Sequence, residues 1–262
     1  FPNTTVSLAS DTRCRGVLAT ITCAPYSAAR FNGDGPQPLF NTSFPDGIPN
    51  ADGSMPLQVT QALQLCQNCT TIAGAALEHN AKVVFENPVA RGAGSQFAIQ
   101  GREMHSPLWN TTIMRNFTSK YSMQAVVSDQ CRSGASTQKT TQWLCSPGVL
   151  DAMESRLGHL KCDHPSGTHG TLLEPVASAD GNAGSGVARK FRTKPAEIFT
   201  SELNRSLAES FLAPVARSEG WLPAMASYID PFTNTTVSDL SYAFAAVHAV
   251  SVANTTDPFV LL

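Results

Sequence analysis

Charged residues are scarce in this chain. Asp, Glu, Lys and Arg make up 15% of its 262 residues, against roughly 25% in an average soluble protein. The formal net charge of -2 provides no basic face of the kind that phosphate binding requires, which excludes nucleic acid as the main ligand. With 42% hydrophobic residues, the chain also lacks the composition of a disordered protein. We therefore expect one large folded domain or two small ones.

Long apolar runs are missing as well. The longest, over residues 242–253, is too short to cross a bilayer and contains His248. The sequence therefore predicts no membrane span within this chain. Residues 1–5 have neither the charged nor the apolar region of a signal peptide. A secreted chain whose leader has been removed would begin in this way, and so would a trimmed cytosolic chain.

The familiar catalytic fingerprints are absent. The sequence contains no Gly-rich phosphate loop, no dinucleotide fingerprint and no complete Gly-x-Ser-x-Gly motif. Its carboxylates show no spacing that singles out a catalytic pair. Catalytic residues stay unknown at this point, and we expect a non-enzymatic protein rather than an enzyme.

What the chain has in abundance is the Asn-x-Ser/Thr acceptor of N-linked glycans. Eight of its 13 asparagines stand in such sequons, whereas chance would give about two or three. The alternative is an Asn- and Thr-rich composition that reflects turn and strand preferences. We predict N-linked glycans, and hence a secreted chain or one on the extracellular face of a membrane or particle. The sequons begin at Asn3, Asn41, Asn68, Asn110, Asn116, Asn204, Asn234 and Asn254.

Seven cysteines indicate the same compartment, because disulfides persist in oxidising environments. Proximity along the chain suggests three disulfides and leaves Cys162 as a free or intermolecular thiol. Cys66-Gln-Asn-Cys69 also fits a redox or zinc Cys-x-x-Cys motif, which we regard as the weaker alternative. The suggested pairs are Cys14 with Cys23, Cys66 with Cys69, and Cys131 with Cys145.

One short segment, over residues 158–170, gathers the side chains that bind zinc or copper. The spacing matches no established zinc motif, and the alternative is a polar loop in which Cys162 pairs with another cysteine. We therefore expect no cofactor besides N-linked glycans, with zinc or copper as the alternative. The candidate ligands are His159, Cys162, His164 and His169.

A basic Arg-Lys-Phe-Arg tetrapeptide follows a flexible stretch of small residues at 176–186. Mobile basic loops are accessible to processing proteases, and cleavage here would separate a β-rich part from a helical part. The alternative is a solvated basic loop. The candidate processing residues are Arg189, Lys190 and Arg192.

Periodicity predicts an α+β protein with a central, mostly antiparallel sheet and with helices concentrated in the C-terminal third. Alternating and β-branched patterns predict strands over 17–23, 82–86, 96–102, 111–117, 121–128 and 140–144. Helix signals predict a short helix over 57–65, one opening at Ser146-Pro147 with Leu150, Met153 and Leu157 on one face, and one opening at Pro195 with Leu203, Leu207 and Phe211.

The same patterns divide the chain into three regions. Residues 1–175 form a β-rich, disulfide-containing, glycosylated region, and residues 176–194 a flexible Gly, Ser and basic loop. Residues 195–262 form a helical region that we expect to pack on the same domain.

The favoured functional hypothesis is an extracellular, cell-surface glycoprotein that acts through protein–protein contacts. It would be a structural or adhesion protein such as a coat, envelope or filament subunit, with protein partners or self-assembly into an oligomer. The widest interval between sequons, from Asn116 to Asn204, is the expected contact surface. The alternatives are a secreted, metal-dependent hydrolase that uses the His159–His169 loop and a soluble ligand-binding receptor module with a preformed pocket.

Overall fold

A computed structural model of the chain describes residues 16–21, 24–31, 36–165, 168–169, 199–219, 228–229 and 236–237. The strands are β1 (Gly16–Thr20), β2 (Lys82–Pro88), β3 (Gln124–Asp129), β4 (Thr140–Cys145), β5 (Tyr228–Ile229) and β6 (Thr236–Val237). The helices are α1 (Leu57–Glu78), α2 (Thr112–Lys120), α3 (Pro147–Met153) and α4 (Ser201–Glu219). A π turn at Glu154–Gly158 continues α3, and a 3-10 turn at Gln130–Ser133 follows β3.

The central sheet has four strands in the order β1-β2-β4-β3. β1 and β2 run parallel, with Gly16 opposite Lys82, because α1 lies between them in the chain and returns it to the same end of the sheet. β4 is antiparallel to both β2 and β3. The predicted central sheet with packed helices is confirmed, but the sheet is mixed rather than mostly antiparallel.

Helices cover both faces of this sheet. β2 is buried along almost its whole length, as expected of a strand covered on both sides. Val83 and Phe85 pack toward α1 and α2, whereas Val84 between them packs toward α3 and α4. The result is three layers, with one apolar core on each side of the sheet.

α1 forms the first core. It runs to Glu78, well past the predicted end at residue 65, because its buried residues recur at helical spacing along its second half. The buried face there includes Cys66, Cys69, Ala73 and Ala76. Three of the four described α-helices precede residue 160. Most of the C-terminal third lies outside the described residues, so the concentration of helices there stays a prediction.

α2 replaces a predicted strand at 111–117. The Thr111 hydroxyl accepts a hydrogen bond from the Met114 amide, and the Asp46 carboxylate accepts from the amide and the hydroxyl of Thr112 at 2.6 and 2.5 Å. These contacts satisfy amides that a helix start leaves free. Met114 and Phe117, three positions apart, then bury one side of the helix. The strand predicted at 96–102 is also wrong, since this segment is built of turns.

α3 and α4 form the second core. α3 begins after Ser146, as predicted, and its buried face continues to Leu157. α4 begins at Ser201 and buries Leu203, Leu207 and Phe211 at the predicted spacing. The side chains of Arg156 and Glu209 form an ion pair that joins the π turn to α4.

Among the helices described, none combines the length and the apolarity that a bilayer crossing requires. The apolar run at 242–253 and the loop at 176–194 lie outside the described residues. The division into three regions stays a prediction.

Candidate metal centre

Four side chains with metal-binding atoms meet beside the C-terminal end of β3. They offer two thiols and two imidazoles, and their ligand atoms all lie within 4.8 Å of one another. Two thiols and two imidazoles are a ligand set that structural zinc sites use. The residues are Cys131, Cys162, His164 and His169.

The distances among three of these ligand atoms match the edges of a zinc tetrahedron. The Cys162 Sγ lies 3.4 Å from His164 Nδ1 and 3.3 Å from His169 Nε2, and the two imidazole nitrogens are 3.2 Å apart. Zinc bonds of about 2.3 Å to sulfur and about 2.05 Å to nitrogen give tetrahedral edges of about 3.6 Å and about 3.3 Å. The three separations among Cys162 Sγ, His164 Nδ1 and His169 Nε2 are each within about 0.3 Å of the ideal edge, and the Cys131 sulfur lies within 4.8 Å of all three atoms.

Cys131 offers the fourth ligand atom, which lies within 4.8 Å of the other three. Burial, the hydrogen bond to Cys162 and the charge of Cys162 together raise the pKa of the Cys131 thiol to about 11. Two adjacent thiolates repel each other in a buried place, whereas a coordinated cation favours the thiolate form. The arrangement therefore suits a divalent cation better than it suits two free thiolates.

Asp129, the last residue of β3, holds the two cysteine-bearing segments together. Its buried carboxylate accepts a hydrogen bond from the Thr140 hydroxyl at 2.5 Å and another from the Cys162 amide at 2.8 Å. Its own amide donates to the Leu160 carbonyl at 2.8 Å. One residue thus fixes the start of the Cys131 turn and the position of Cys162.

Two further contacts attach residues 161–163 to the sheet edge. Lys161 Nζ donates to the Val127 carbonyl at 2.5 Å, and the side chains of Arg132 and Asp163 form an ion pair. Arg132 and Asp163 are the chain neighbours of Cys131 and Cys162. The two cysteines are therefore held by contacts that do not depend on the ion.

Sequence reasoning found three of these ligands and missed one. His159 is exposed, directly after the π turn, and is not a member of the cluster. Cys131 takes its place, although 30 residues separate it from Cys162. The signal that could have found it is the complete pattern, Cys-x30-Cys-x-His-x4-His.

The predicted disulfide between Cys131 and Cys145 does not form. In the β3–β4 hairpin, Cys145 lies opposite Gln124 while Cys131 follows Asp129 at the other end. Five residue steps at about 3.4 Å each separate the two ends by about 17 Å, far beyond the span of a disulfide. Cys145 instead lies in the second core as a buried thiol.

Cys66 and Cys69 are also free thiols, one turn apart on the buried face of α1. Burial raises the pKa of Cys66 to about 12 and that of Cys69 to about 11, which disfavours the reactive thiolate. Cys14 and Cys23 lie outside the described residues.

The described sequons occupy different surroundings. Asn68, Asn110 and Asn116 are exposed, whereas Asn41 and Asn204 are half-buried. The Asn41 carboxamide oxygen accepts hydrogen bonds from the amides of Ser43 and Phe44 at 2.9 and 2.8 Å. Glycosylation stays a prediction at all eight sites. Asn3, Asn234 and Asn254 lie outside the described residues, as do the processing residues Arg189, Lys190 and Arg192.

An open groove of about 360 Å³ lies between α2 and the β3–β4 hairpin. Trp109, Met123 and Leu144 line its apolar part, and Arg115 and Gln142 contribute the larger polar side chains. Ligand sites usually combine enclosure with several converging polar groups. The groove is open, so the Cys/His cluster remains the stronger candidate site.

Comparison with known proteins finds no matching family model, no matching curated protein and no matching solved structure. A functional conclusion for this chain therefore depends on its own geometry.

Proposed function

We propose that this chain is a zinc-binding domain in which one structural Zn²⁺ is held by Cys131, Cys162, His164 and His169. The observation that carries the proposal is the convergence of four ligand atoms within 4.8 Å, three of which, on Cys162, His164 and His169, are separated by 3.2 to 3.4 Å, close to the edges of a zinc tetrahedron. The proposal keeps three of the four ligands that the sequence suggests and replaces His159 by Cys131.

Zinc fits this ligand set better than copper does. Tetrahedral sites with two sulfurs and two nitrogens are typical of zinc, whereas copper(II) prefers square-planar or tetragonal sites. The alternative of a copper site is therefore the weaker one.

The four protein ligands also favour a structural role over a hydrolytic one. A catalytic zinc normally keeps one position open for water or substrate, whereas a structural zinc is surrounded by four protein ligands. All four corners of this cluster are protein side chains. A metal-dependent hydrolase at this loop is accordingly not the function that the geometry favours.

The ion would strengthen a junction between three parts of the fold. The turn at Gln130–Ser133 carries Cys131, and residues 162–169 carry the other ligands. The Ser133 carbonyl in the same turn accepts a hydrogen bond from the Thr200 hydroxyl. The Thr200 hydroxyl oxygen in turn accepts a hydrogen bond from the Leu203 amide of α4 at 3.2 Å. A bound ion therefore supports both the segment after α3 and the start of α4.

Metal content tests this proposal directly. The full chain, purified under reducing conditions and dialysed against trace zinc, should contain about one zinc ion per molecule by mass spectrometry of the metal. Cys131→Ser and His164→Ala should each lower the zinc affinity by 10-fold or more, because each removes one of four ligands. His159→Ala is the matched control, since His159 lies in the same segment without joining the cluster.

Two results would contradict the proposal. One is a wild-type chain that binds no zinc. The other is a loss of zinc in His159→Ala that equals the loss in His164→Ala, which would place the ion elsewhere in the segment.

A second candidate function is a secreted, cell-surface glycoprotein that acts through protein contacts. Exposed Asn68, Asn110 and Asn116 favour it, because a bulky glycan needs such positions. The contact face would be the sequon-free interval that contains the Cys/His cluster. The five described cysteines are free thiols, which weighs against a disulfide-rich extracellular chain.

The intact mass of native material, with and without enzymatic deglycosylation, separates the two candidates. A mass several kilodaltons above 27.8 kDa that falls on deglycosylation would support the glycoprotein. A bare chain that carries one zinc ion would support the first proposal alone.

A further inference from the structure

We infer that Cys131 and Cys162 form a redox pair, which binds zinc in the reduced state and is converted by a peroxide into a disulfide that releases the ion. The inference rests on the proposed function, because it concerns the regulation of the same site. Such an exchange needs two cysteines among the zinc ligands, an oxidant, and a placement that lets the two sulfurs meet.

The two sulfurs are already neighbours. The Cys131 and Cys162 sulfurs lie within 4.8 Å of each other. Formation of a disulfide contracts the separation between the sulfurs to about 2.05 Å. Cys162 lies on an irregular segment rather than in a helix or strand, so its approach to Cys131 breaks no hydrogen bond within a helix or strand.

The two thiols differ in their access to solvent. Cys131 is buried, with 7% of its surface exposed, whereas Cys162 is only partly buried. A dissolved oxidant therefore meets the Cys162 sulfur first, and Cys131 is the internal thiol that attacks the oxidised sulfur. Redox-active cysteines commonly combine an accessible thiol with a nearby resolving one.

The reaction is balanced with hydrogen peroxide as the oxidant. The Cys162 thiolate attacks one peroxide oxygen, the O–O bond breaks, and hydroxide leaves and takes up a proton to become water. The Cys131 thiolate then attacks the resulting sulfenic sulfur, the S–S bond forms, and a second hydroxide leaves and is protonated. In sum, two thiolates lose two electrons, one peroxide is reduced to two waters with two protons, and one Zn²⁺ is released.

The other described cysteines are insulated from this reaction. Cys66 and Cys145 have no exposed surface and Cys69 has 5%. Burial raises the pKa of all three thiols, so few thiolates are available to compete. Oxidation of the folded chain should therefore be confined to the metal centre among the described thiols.

The disulfide preserves the junction that the ion supports. It joins the turn at Gln130–Ser133 to residue 162, the same two segments that zinc joins. The hydrogen bonds of Asp129 to Cys162 and Leu160 do not involve the ligand atoms and can persist. Oxidation would thus change the metal content and free His164 and His169 without detaching the segment.

The experiment is a titration of the zinc-loaded full chain with hydrogen peroxide. A zinc-sensitive dye measures the released ion, and peptide mass mapping identifies the cross-linked cysteines. We expect release of about one zinc ion per peroxide consumed, a Cys131–Cys162 disulfide with a mass loss of about 2 Da, and recovery of zinc binding after a thiol reductant and zinc are added.

Cys145→Ser is the matched control, because it removes a buried thiol outside the centre and should leave the zinc release unchanged. A reduced chain that binds no zinc would overturn the proposed function itself. A chain that binds zinc but responds to peroxide with a sulfinic acid at Cys162, a disulfide to another cysteine or no release would overturn the redox pair alone.

Discussion

At the scale of single residues, His105 has the most completely defined chemistry. The Arg91 amide donates to its Nδ1 at 3.0 Å, so the ring proton must lie on Nε2, which donates to the Tyr26 carbonyl at 2.9 Å. Burial, together with the charges of Arg102 and Arg91, lowers the pKa of this imidazole. The folded state therefore favours the neutral form of His105.

This preference predicts a loss of stability in acid. Above about pH 6.5 both the folded and the unfolded forms carry a neutral ring. Below it the unfolded chain takes up a proton more readily than the folded chain does, so the free energy of unfolding falls by at most about 1.4 kcal/mol per pH unit. His105→Gln keeps one acceptor and one donor without titrating, and should remove this slope in urea denaturation between pH 8 and 5.

Both proteins are compared in the presence of a chelator, so that protonation of the metal ligands does not contribute to the difference. Equal slopes for the wild type and His105→Gln would contradict the assignment. His105→Asn serves as the second variant should the longer amide fail to fold.

Three of the four ligands of the metal centre could be predicted from the sequence, and one could not. Crowding of Cys162, His164 and His169 is visible in the sequence because they are close along the chain. Cys131 joins them only through the β3–β4 hairpin and the return of residues 159–163 to the edge of β3. Such a contact is tertiary, and no local pattern encodes it.

At the scale of elements, the spacing of apolar residues correctly predicts the helix α4, whereas residue composition wrongly predicts a strand in place of α2. Leu203, Leu207 and Phe211 recur every four residues, and all three are buried against the sheet. The α2 segment is rich in β-branched residues, which favour strands. Its helical state depends on the Asp46 carboxylate, which lies 66 residues earlier in the chain.

Leu207→Ala tests how much α4 contributes. Leu207 has no exposed surface, so its truncation should leave a cavity and lower the free energy of unfolding by about 2–5 kcal/mol. Arg205→Ala, at an exposed position of the same helix, should change it by less than about 0.5 kcal/mol. Urea denaturation measures both, and a loss below about 1 kcal/mol for Leu207→Ala would mean that α4 does not pack as described.

At the scale of the whole molecule, the sheet separates the metal centre from α1. α1 contacts the first face of the sheet, whereas the ligands lie beyond the end of the edge strand β3. The parallel pairing of β1 with β2 could not be predicted from the strand patterns. Alternation of apolar and polar residues does not specify the order or direction of the strands.

Hydrogen exchange should therefore distinguish the two sides. Removal of zinc by a chelator should speed amide exchange in residues 158–165 and in the turn at Gln130–Ser133. In the zinc-bound chain, local opening at these residues costs the free energy of metal binding, and without zinc this cost disappears. Amides of α1 should exchange at an unchanged rate. Mass spectrometry of peptic fragments measures both regions, and an equal acceleration in α1 would indicate global destabilisation instead.

The positions of the ligands also determine that they leave the ribosome before α4 does. All four lie between residues 131 and 169, whereas α4 begins at Ser201. As the ribosome delivers the chain from its N-terminus, the whole ligand set emerges before the helix that closes the second core. A nascent chain that ends at residue 169 is accordingly the shortest form that contains every ligand for the ion.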